Sequence, residues 1–171
     1  SSNAALELDG VNDHILISEA ASPSTLEITG NKISIAAWLK TSDDSGVIVY
    51  KANGKDANDV SYILRISSSK LRLEVGDGGA YYSACNATID SSDWNHWVAT
   101  FDGSAFSFYK NGAAVSCTSS GSTGTLSSLK NVTRDLEIGH FPAIDGYGGG
   151  QFYEGAIDEL AIFKDALTSS E

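Results

Sequence analysis

The stretch Asp93-Trp94-Asn95-His96-Trp97-Val98-Ala99-Thr100-Phe101-Asp102-Gly103-Ser104-Ala105-Phe106-Ser107-Phe108-Tyr109-Lys110-Asn111-Gly112 decides the fold class. From His96 to Phe101 and from Phe106 to Lys110 the pattern has period two, the spacing of strands whose successive side chains face opposite sides. Asp102-Gly103-Ser104-Ala105 is a tight connection between these runs. At Lys110-Asn111-Gly112-Ala113 the Asn-Gly pair supplies the positive φ angles that a two-residue hairpin needs. Successive hairpins of this kind belong to an antiparallel sheet.

The same period extends in both directions. Leu6 and Leu8 alternate with Glu7 and Asp9, and after the turn Gly10-Val11-Asn12-Asp13 the run His14-Ile15-Leu16-Ile17 resumes. Ile33, Ile35, Ala37 and Leu39 share one phase, with Ser34, Ala36, Trp38 and Lys40 in the other. Gly46 to Tyr50, Ser61 to Ile66 and Leu71 to Val75 repeat the pattern. Strands at such regular intervals, joined by Gly, Ser and Asp, predict a sandwich or barrel. Ile33 to Leu39 and Trp97 to Phe101 are apolar in both phases, as in central strands or strands whose second face lines a groove. Ser116 to Leu129 is rich in Ser, Thr and Gly and reads as a mobile loop, as does Gly146-Tyr147-Gly148-Gly149-Gly150. No internal repeat or boundary divides the chain, so the expectation is one all-β domain.

Composition narrows the partners. The 171 residues carry 11 Lys+Arg against 22 Asp+Glu, a formal net charge of -11. Such a surface repels phosphate backbones and anionic lipid, and favours divalent cations. No apolar run approaches the roughly 20 residues of a membrane span. Met is absent, and Ser2-Asn3-Ala4 reads as a tag remnant. Residues 1–4 are therefore set aside as remnant or linker, with 5–171 as a single domain cut from a larger protein. Cys85 and Cys117 are an even pair, bridged in a secreted chain but ordinary buried thiols in a cytosolic one. Asn86-Ala87-Thr88 and Asn131-Val132-Thr133 fit the glycosylation triplet.

Five segments in order carry a family resemblance. They are Leu8-Asp9-Gly10-Val11-Asn12-Asp13, Ser34-Ile35-Ala36-Ala37-Trp38-Leu39-Lys40, Asp93-Trp94-Asn95-His96-Trp97-Val98-Ala99, Phe108-Tyr109-Lys110-Asn111-Gly112 and Gly155-Ala156-Ile157-Asp158-Glu159-Leu160-Ala161-Ile162-Phe163. Together they resemble laminin-G-like, concanavalin A-like jelly rolls, from about Leu6 onward. The resemblance implies a two-sheet antiparallel jelly-roll sandwich, paired first and last strands, and a helix over Ala166 to Glu171. It does not fix function, because the family hosts adhesion modules, lectins and appendages of polysaccharide-degrading enzymes.

Asp158 shares the alternation phase of Leu160 and Ile162. If those two face the core, Asp158 faces inward as well, and a buried carboxylate needs donors, a cation or a metal. The resemblance places the first strand beside it, where Asp9 and Asp13 flank a turn with available carbonyls. Oxygen-only ligands favour calcium, so a structural Ca²⁺ held by Asp9, Asp13 and Asp158 is expected. The alternative is that Asp158 accepts backbone N–H groups from a neighbouring loop, with no metal. The acidic loop Asn53 to Asp59 lacks EF-hand spacing and reads as a solvated connection.

Catalysis has little support. Asp158 and Glu159 are adjacent and so are expected on opposite strand faces, unsuited to the paired carboxyls of a retaining glycosidase. Asp135 and Glu137 share a face without a third carboxylate and read as solvated. His14, His96 and His140 are far apart in the chain and outside any metal-ligand spacing, His96 fitting a structural role. Sugar recognition uses aromatic planes with amides and carboxylates, and Tyr82, His140, Asp145 and Tyr147 form the candidate set. The expectation is a monomeric, non-catalytic, extracellular or cell-surface module with structural calcium that binds a glycan or cell-surface polysaccharide. The rival is a protein-binding or architectural segment of a surface adhesin or pilus-associated protein.

Overall fold

A computed structural model describes residues 4–21, 27–41, 43–54, 59–79, 82–89, 93–121, 124–143 and 150–171. The described strands are β1 (Leu6–Asp9), β2 (Ile15–Ile17), β3 (Ile33–Thr41), β4 (Gly46–Ala52), β5 (Val60–Ile66), β6 (Lys70–Gly76), β7 (Tyr82–Thr88), β8 (Asn95–Phe101), β9 (Phe106–Lys110), β10 (Ala113–Val115), β11 (Thr118–Gly121), β12 (Leu136–Ile138), β13 (His140–Phe141), β14 (Gln151–Phe152) and β15 (Glu154–Phe163). A first sheet has the order β1-β15-β3-β8-β9-β10, and a second β11-β7-β6-β5-β4-β12-β2. Every described pairing is antiparallel. The result is the expected two-sheet jelly-roll sandwich, with the first and last strands side by side.

Alternation fills the space between the sheets. Ile33, Ile35, Ala37 and Leu39 of β3, Trp97, Ala99 and Phe101 of β8, and Leu64, Leu71 and Leu73 opposite are all buried in one core. Leu126 and Leu129 enter the same core from the segment read as a mobile loop. Their amides donate to the carbonyls of Gly103 and Gly30, which fixes that path. A smaller cluster of Val47, Tyr50, Ala52, Val60 and Ile63 packs separately, with Phe141 set edge-on to Tyr50 at 5.0 Å between ring centroids.

The hairpins follow their sequence signals. Asn111 and Gly112 have φ of 50° and 79°, the left-handed pair of the expected turn between β9 and β10. Asp102 accepts the amides of Ser104 and Ala105, each at 2.8 Å. These amide bonds, Ala105's first, hold the Asp102 carboxyl below its ordinary pKa.

Three expectations need correction. The Ser/Thr/Gly segment is not wholly a loop: Thr118–Gly121 forms β11 and pairs with β7. The physical reason is covalent, because Cys85 of β7 and Cys117 are bridged, with Cα atoms 5.7 Å apart. The bridge delivers a low-propensity segment to an open sheet edge. The helix expected over Ala166 to Glu171 is absent. Thr168 and Glu171 instead close a single turn, with the Glu171 carboxylate accepting from the Thr168 amide and hydroxyl. Glu137 is not solvated but buried, its carboxylate bonded to His140 Nδ1 at 2.5 Å.

Two buried charges, one cation and one carboxylate, are neutralised by neighbours. Lys51, 1% exposed, stands opposite Tyr62 in the β4–β5 register. Its ammonium pairs with Glu19, on the single-turn helix Glu19–Ala21, and donates to the Arg134 carbonyl at 2.5 Å. Burial first, then the Glu19 charge, pushes the Tyr62 hydroxyl above its ordinary pKa. Glu74, buried on β6, receives Arg65 at 2.8 Å and Arg72 at 2.5 Å.

Candidate functional site

The decisive local feature is a β-bulge in the last strand. Ile157 pairs with Leu39 and Asp158 with Trp38, but the next pair is Ala161 with Ala36. The residues between, Glu159 and Leu160, therefore face the single residue Ala37, and Glu159 takes the left-handed φ of 49°. A bulge of this kind inserts one residue and reverses the alternation beyond it. Leu160 and Ile162 do pack on the core. Asp158, before the bulge, lies in the opposite phase, beside Trp38 on the outer side of the first sheet. The expected inward orientation of Asp158 is thus corrected.

The metal set does not converge. Asp9 faces Glu154 across β1–β15, and Asp158 lies four residues further along β15 (158 − 154 = 4), roughly 13 Å at strand rise. The Asp9 carboxylate is occupied as a turn cap, accepting from Val11 at 2.8 Å and Asn12 at 3.3 Å, while Asp13 accepts from the Asp9 amide at 3.3 Å. These bonds, Val11's first, lower the Asp9 pKa. Asp158 Oδ1 accepts from the amide of the next residue, Glu159, at 2.8 Å. Asp9, Asp13 and Asp158 do not fit a single ion. Among the described residues no group of three or more His, Cys, Asp or Glu is placed to hold a metal.

Of the expected sugar-binding set, only the side chain of His140 lies among the described residues. Asp145 and Tyr147 lie outside the described residues. Tyr82 stands opposite Gly76 in the β6–β7 register, and its side chain also lies outside them. His140 is half-buried and enclosed: its ring stacks on Phe152 at 4.3 Å, and its Nδ1 meets Glu137. His14, distant in sequence, comes within 5.0 Å of the His140 ring. The hairpin of β13 and β14 therefore uses its aromatics for packing among the described residues.

A different surface presents aromatics to solvent. On the outer side of the first sheet, Trp38 and Trp94 are 36% and 38% exposed. With Asp158 and Glu159 they line an open depression of about 300 Å³. The bulge brings both adjacent carboxylates into its lining, which corrects the expectation that they are separated by the strand. The two residues after Trp94 are tied to the β9–β10 turn: Asn111 Oδ1 accepts from the His96 amide at 2.9 Å, and Asn111 Nδ2 donates to Asn95 Oδ1 at 2.9 Å. Past Glu159 the depression continues into a groove of about 390 Å³, floored by the small side chains of Ala36, Val98 and Ala161 and walled by Tyr109, Phe163 and the terminal segment. His96 lines this groove, its ring 5.4 Å from Trp38, and so is a surface group. Sequence carried one signal for this site, since Trp38 shares the polar phase of Ser34 and Lys40.

Asp158→Asn tests the geometry directly. Any rise in melting temperature caused by calcium is expected to be the same in this variant as in the parent, because Asp158 is too far from Asp9 to share an ion. A calcium response lost both with Asp158 and with Asp9 would contradict the register.

Solved structures share this architecture at low identity. The mouse laminin alpha1 chain, domains LG4-5, aligns with a TM-score of 0.65 and 13% identity, covering 98% of this chain and 43% of that one. A putative carbohydrate binding protein from Bacteroides ovatus gives 0.64 and 17%, covering 95% and 44%. The CBM40 of a Ruminococcus gnavus IT-sialidase, bound to alpha2,3 sialyllactose, gives 0.68 and 14%, covering 99% and 96%. The chain thus spans less than half of the first two and nearly all of the third. No curated protein matches the sequence. Residues 9–171 match the concanavalin A-like lectin/glucanases superfamily, and the chain belongs to that superfamily.

Proposed function

We propose that this chain is a non-catalytic, extracellular module that binds carbohydrate. The observation that carries the reading is the pair of solvent-facing tryptophans beside two carboxylates on the open side of the first sheet. Indole planes stack on the C–H faces of sugar rings, and carboxylate oxygens accept from hydroxyls. The Bacteroides ovatus relative, a putative carbohydrate binding protein, and the Ruminococcus gnavus CBM40 bound to sialyllactose support the same class. The disulfide supports an oxidising, extracellular setting. The depression is open, with no enclosed slot where two carboxyls would face each other across a glycosidic bond, so the reading is binding without hydrolysis.

The test is titration of the protein with soluble polysaccharides and oligosaccharides, followed by tryptophan fluorescence. Trp38 and Trp94 are exposed whereas Trp97 is buried, so a bound sugar is expected to change the emission of the exposed pair. Trp94→Ala is expected to weaken binding about tenfold or more, the loss of one stacking contact, while the recovered glycan keeps its original length. Full binding by a Trp38→Ala/Trp94→Ala protein would remove this surface as the site. A rival reading as a protein-binding adhesin segment draws on exposed Val11, Ile15 and Leu16 near the β2 edge. It predicts no response to any glycan.

A further inference from the structure

We infer that the depression selects glycans bearing free amino groups, polymers of unacetylated hexosamine, over neutral or acidic ones. The inference rests on the carbohydrate reading above and adds the charge of the ligand. Asp158 and Glu159 line the same opening as Trp38 and Trp94. Among the described residues, neither carboxylate is paired with a lysine or arginine. Lys40 lies on the same side of β3 but does not line the depression. The chain as a whole carries a formal charge of -11. Among the described residues, the opening therefore offers two anionic acceptors and two π faces with no lysine or arginine to receive an acidic sugar.

Each component favours an ammonium. A neutral hydroxyl gives a carboxylate an ordinary hydrogen bond, whereas an ammonium gives a charge-assisted one, roughly twice as strong. An ammonium near an indole face gains a cation–π attraction that a hydroxyl lacks. A sialic or uronic acid would bring a third negative charge with nothing in the opening to oppose it. The bulge makes this combination possible, because a regular strand would send Asp158 and Glu159 to opposite sides. The left-handed Glu159, a strained position for a residue with a side chain, is what moves the second carboxylate into place.

The experiment compares a short glucosamine oligomer with its N-acetylated counterpart, a glucose oligomer of equal length and sialyllactose, by calorimetry and fluorescence. The glucosamine oligomer is expected to bind about tenfold or more tightly than its acetylated form. The advantage should shrink between ionic strengths of about 0.01 M and about 1 M, as the Debye length falls from roughly 30 to 3 Å. Asp158→Asn/Glu159→Gln should abolish the preference while retaining weak binding of the neutral oligomer. Asp44→Asn/Asp77→Asn, which changes net charge equally at exposed positions beside the second sheet, should leave it intact. Equal affinity for acetylated and unacetylated oligomers, or equal loss in the Asp44/Asp77 control, overturns the amino-glycan inference while the carbohydrate reading stands. Binding of none of the four sugars overturns the amino-glycan inference, and no response to the soluble polysaccharides either overturns both.

Discussion

Replacing Lys51 by Met is expected to destabilise the fold by about 3–5 kcal/mol, the loss seen when one member of a buried ion pair is removed. The side chain is 1% exposed and its ammonium lies between the Glu19 carboxylate and the Arg134 carbonyl. Met preserves most of the length and apolar volume, so little of the effect is a cavity. What remains is a Glu19 carboxylate, 11% exposed, with its cation gone. The double variant Lys51→Met/Glu19→Leu is expected to recover most of the loss, since replacing a whole buried pair by apolar groups is often close to neutral. The Arg134 carbonyl loses its partner in both proteins, so their difference isolates the unpaired charge. Denaturant unfolding measures it. A single-variant loss below about 1 kcal/mol would show that Glu19 finds solvent without Lys51.

The second large effect is covalent. Cys85→Ala/Cys117→Ala is expected to lower stability by about 3–4 kcal/mol, from a sequence separation of 32 residues and the loop-closure entropy of the unfolded chain. For a domain of this size that corresponds to a fall of about 10 °C in melting temperature. The loss should be local as well as global. β11 has only β7 as a described partner and all of its residues are exposed, so without the bridge its register depends on backbone bonds alone. Amide exchange of Ser119 and Ser120 is expected to accelerate more than that of β5 and β6 residues. A uniform change across the second sheet, with β11 no worse than β6, would show that backbone pairing suffices to hold that edge.

The two effects mark what the sequence can and cannot disclose. Hairpins were legible wherever one residue type sets the backbone: Asn111-Gly112 and Asp102 formed the turns their chemistry implies. Core strands were legible because their alternation is regular. The position of Asp158 was not, since the phase argument assumed an unbroken strand and no glycine marks the bulge at Glu159. One inserted residue moved a carboxylate from the expected core to the surface. β11 was hidden for the opposite reason, its Ser/Thr/Gly composition being weak for a strand until the disulfide placed it on β7. His14 and His140 are remote in sequence, and only the return of β12 beside β2 brings their rings together. Trp38 was visible as an aromatic in a polar phase, but that signal names a surface and not its ligand.

The pairing of β1 with β15 carries a mechanical consequence. Leu6 faces Ile157, and the strands run in opposite directions, so the incoming end of β1 and the outgoing end of β15 lie toward the same margin of the sheet. A load pulling Leu6 away from Phe163 therefore parts the ladder bond by bond, like a zipper, and does not shear all its bonds at once. Held under tension at both ends, the domain should yield first at its seam, at low force, while the disulfide keeps β7 and β11 tied.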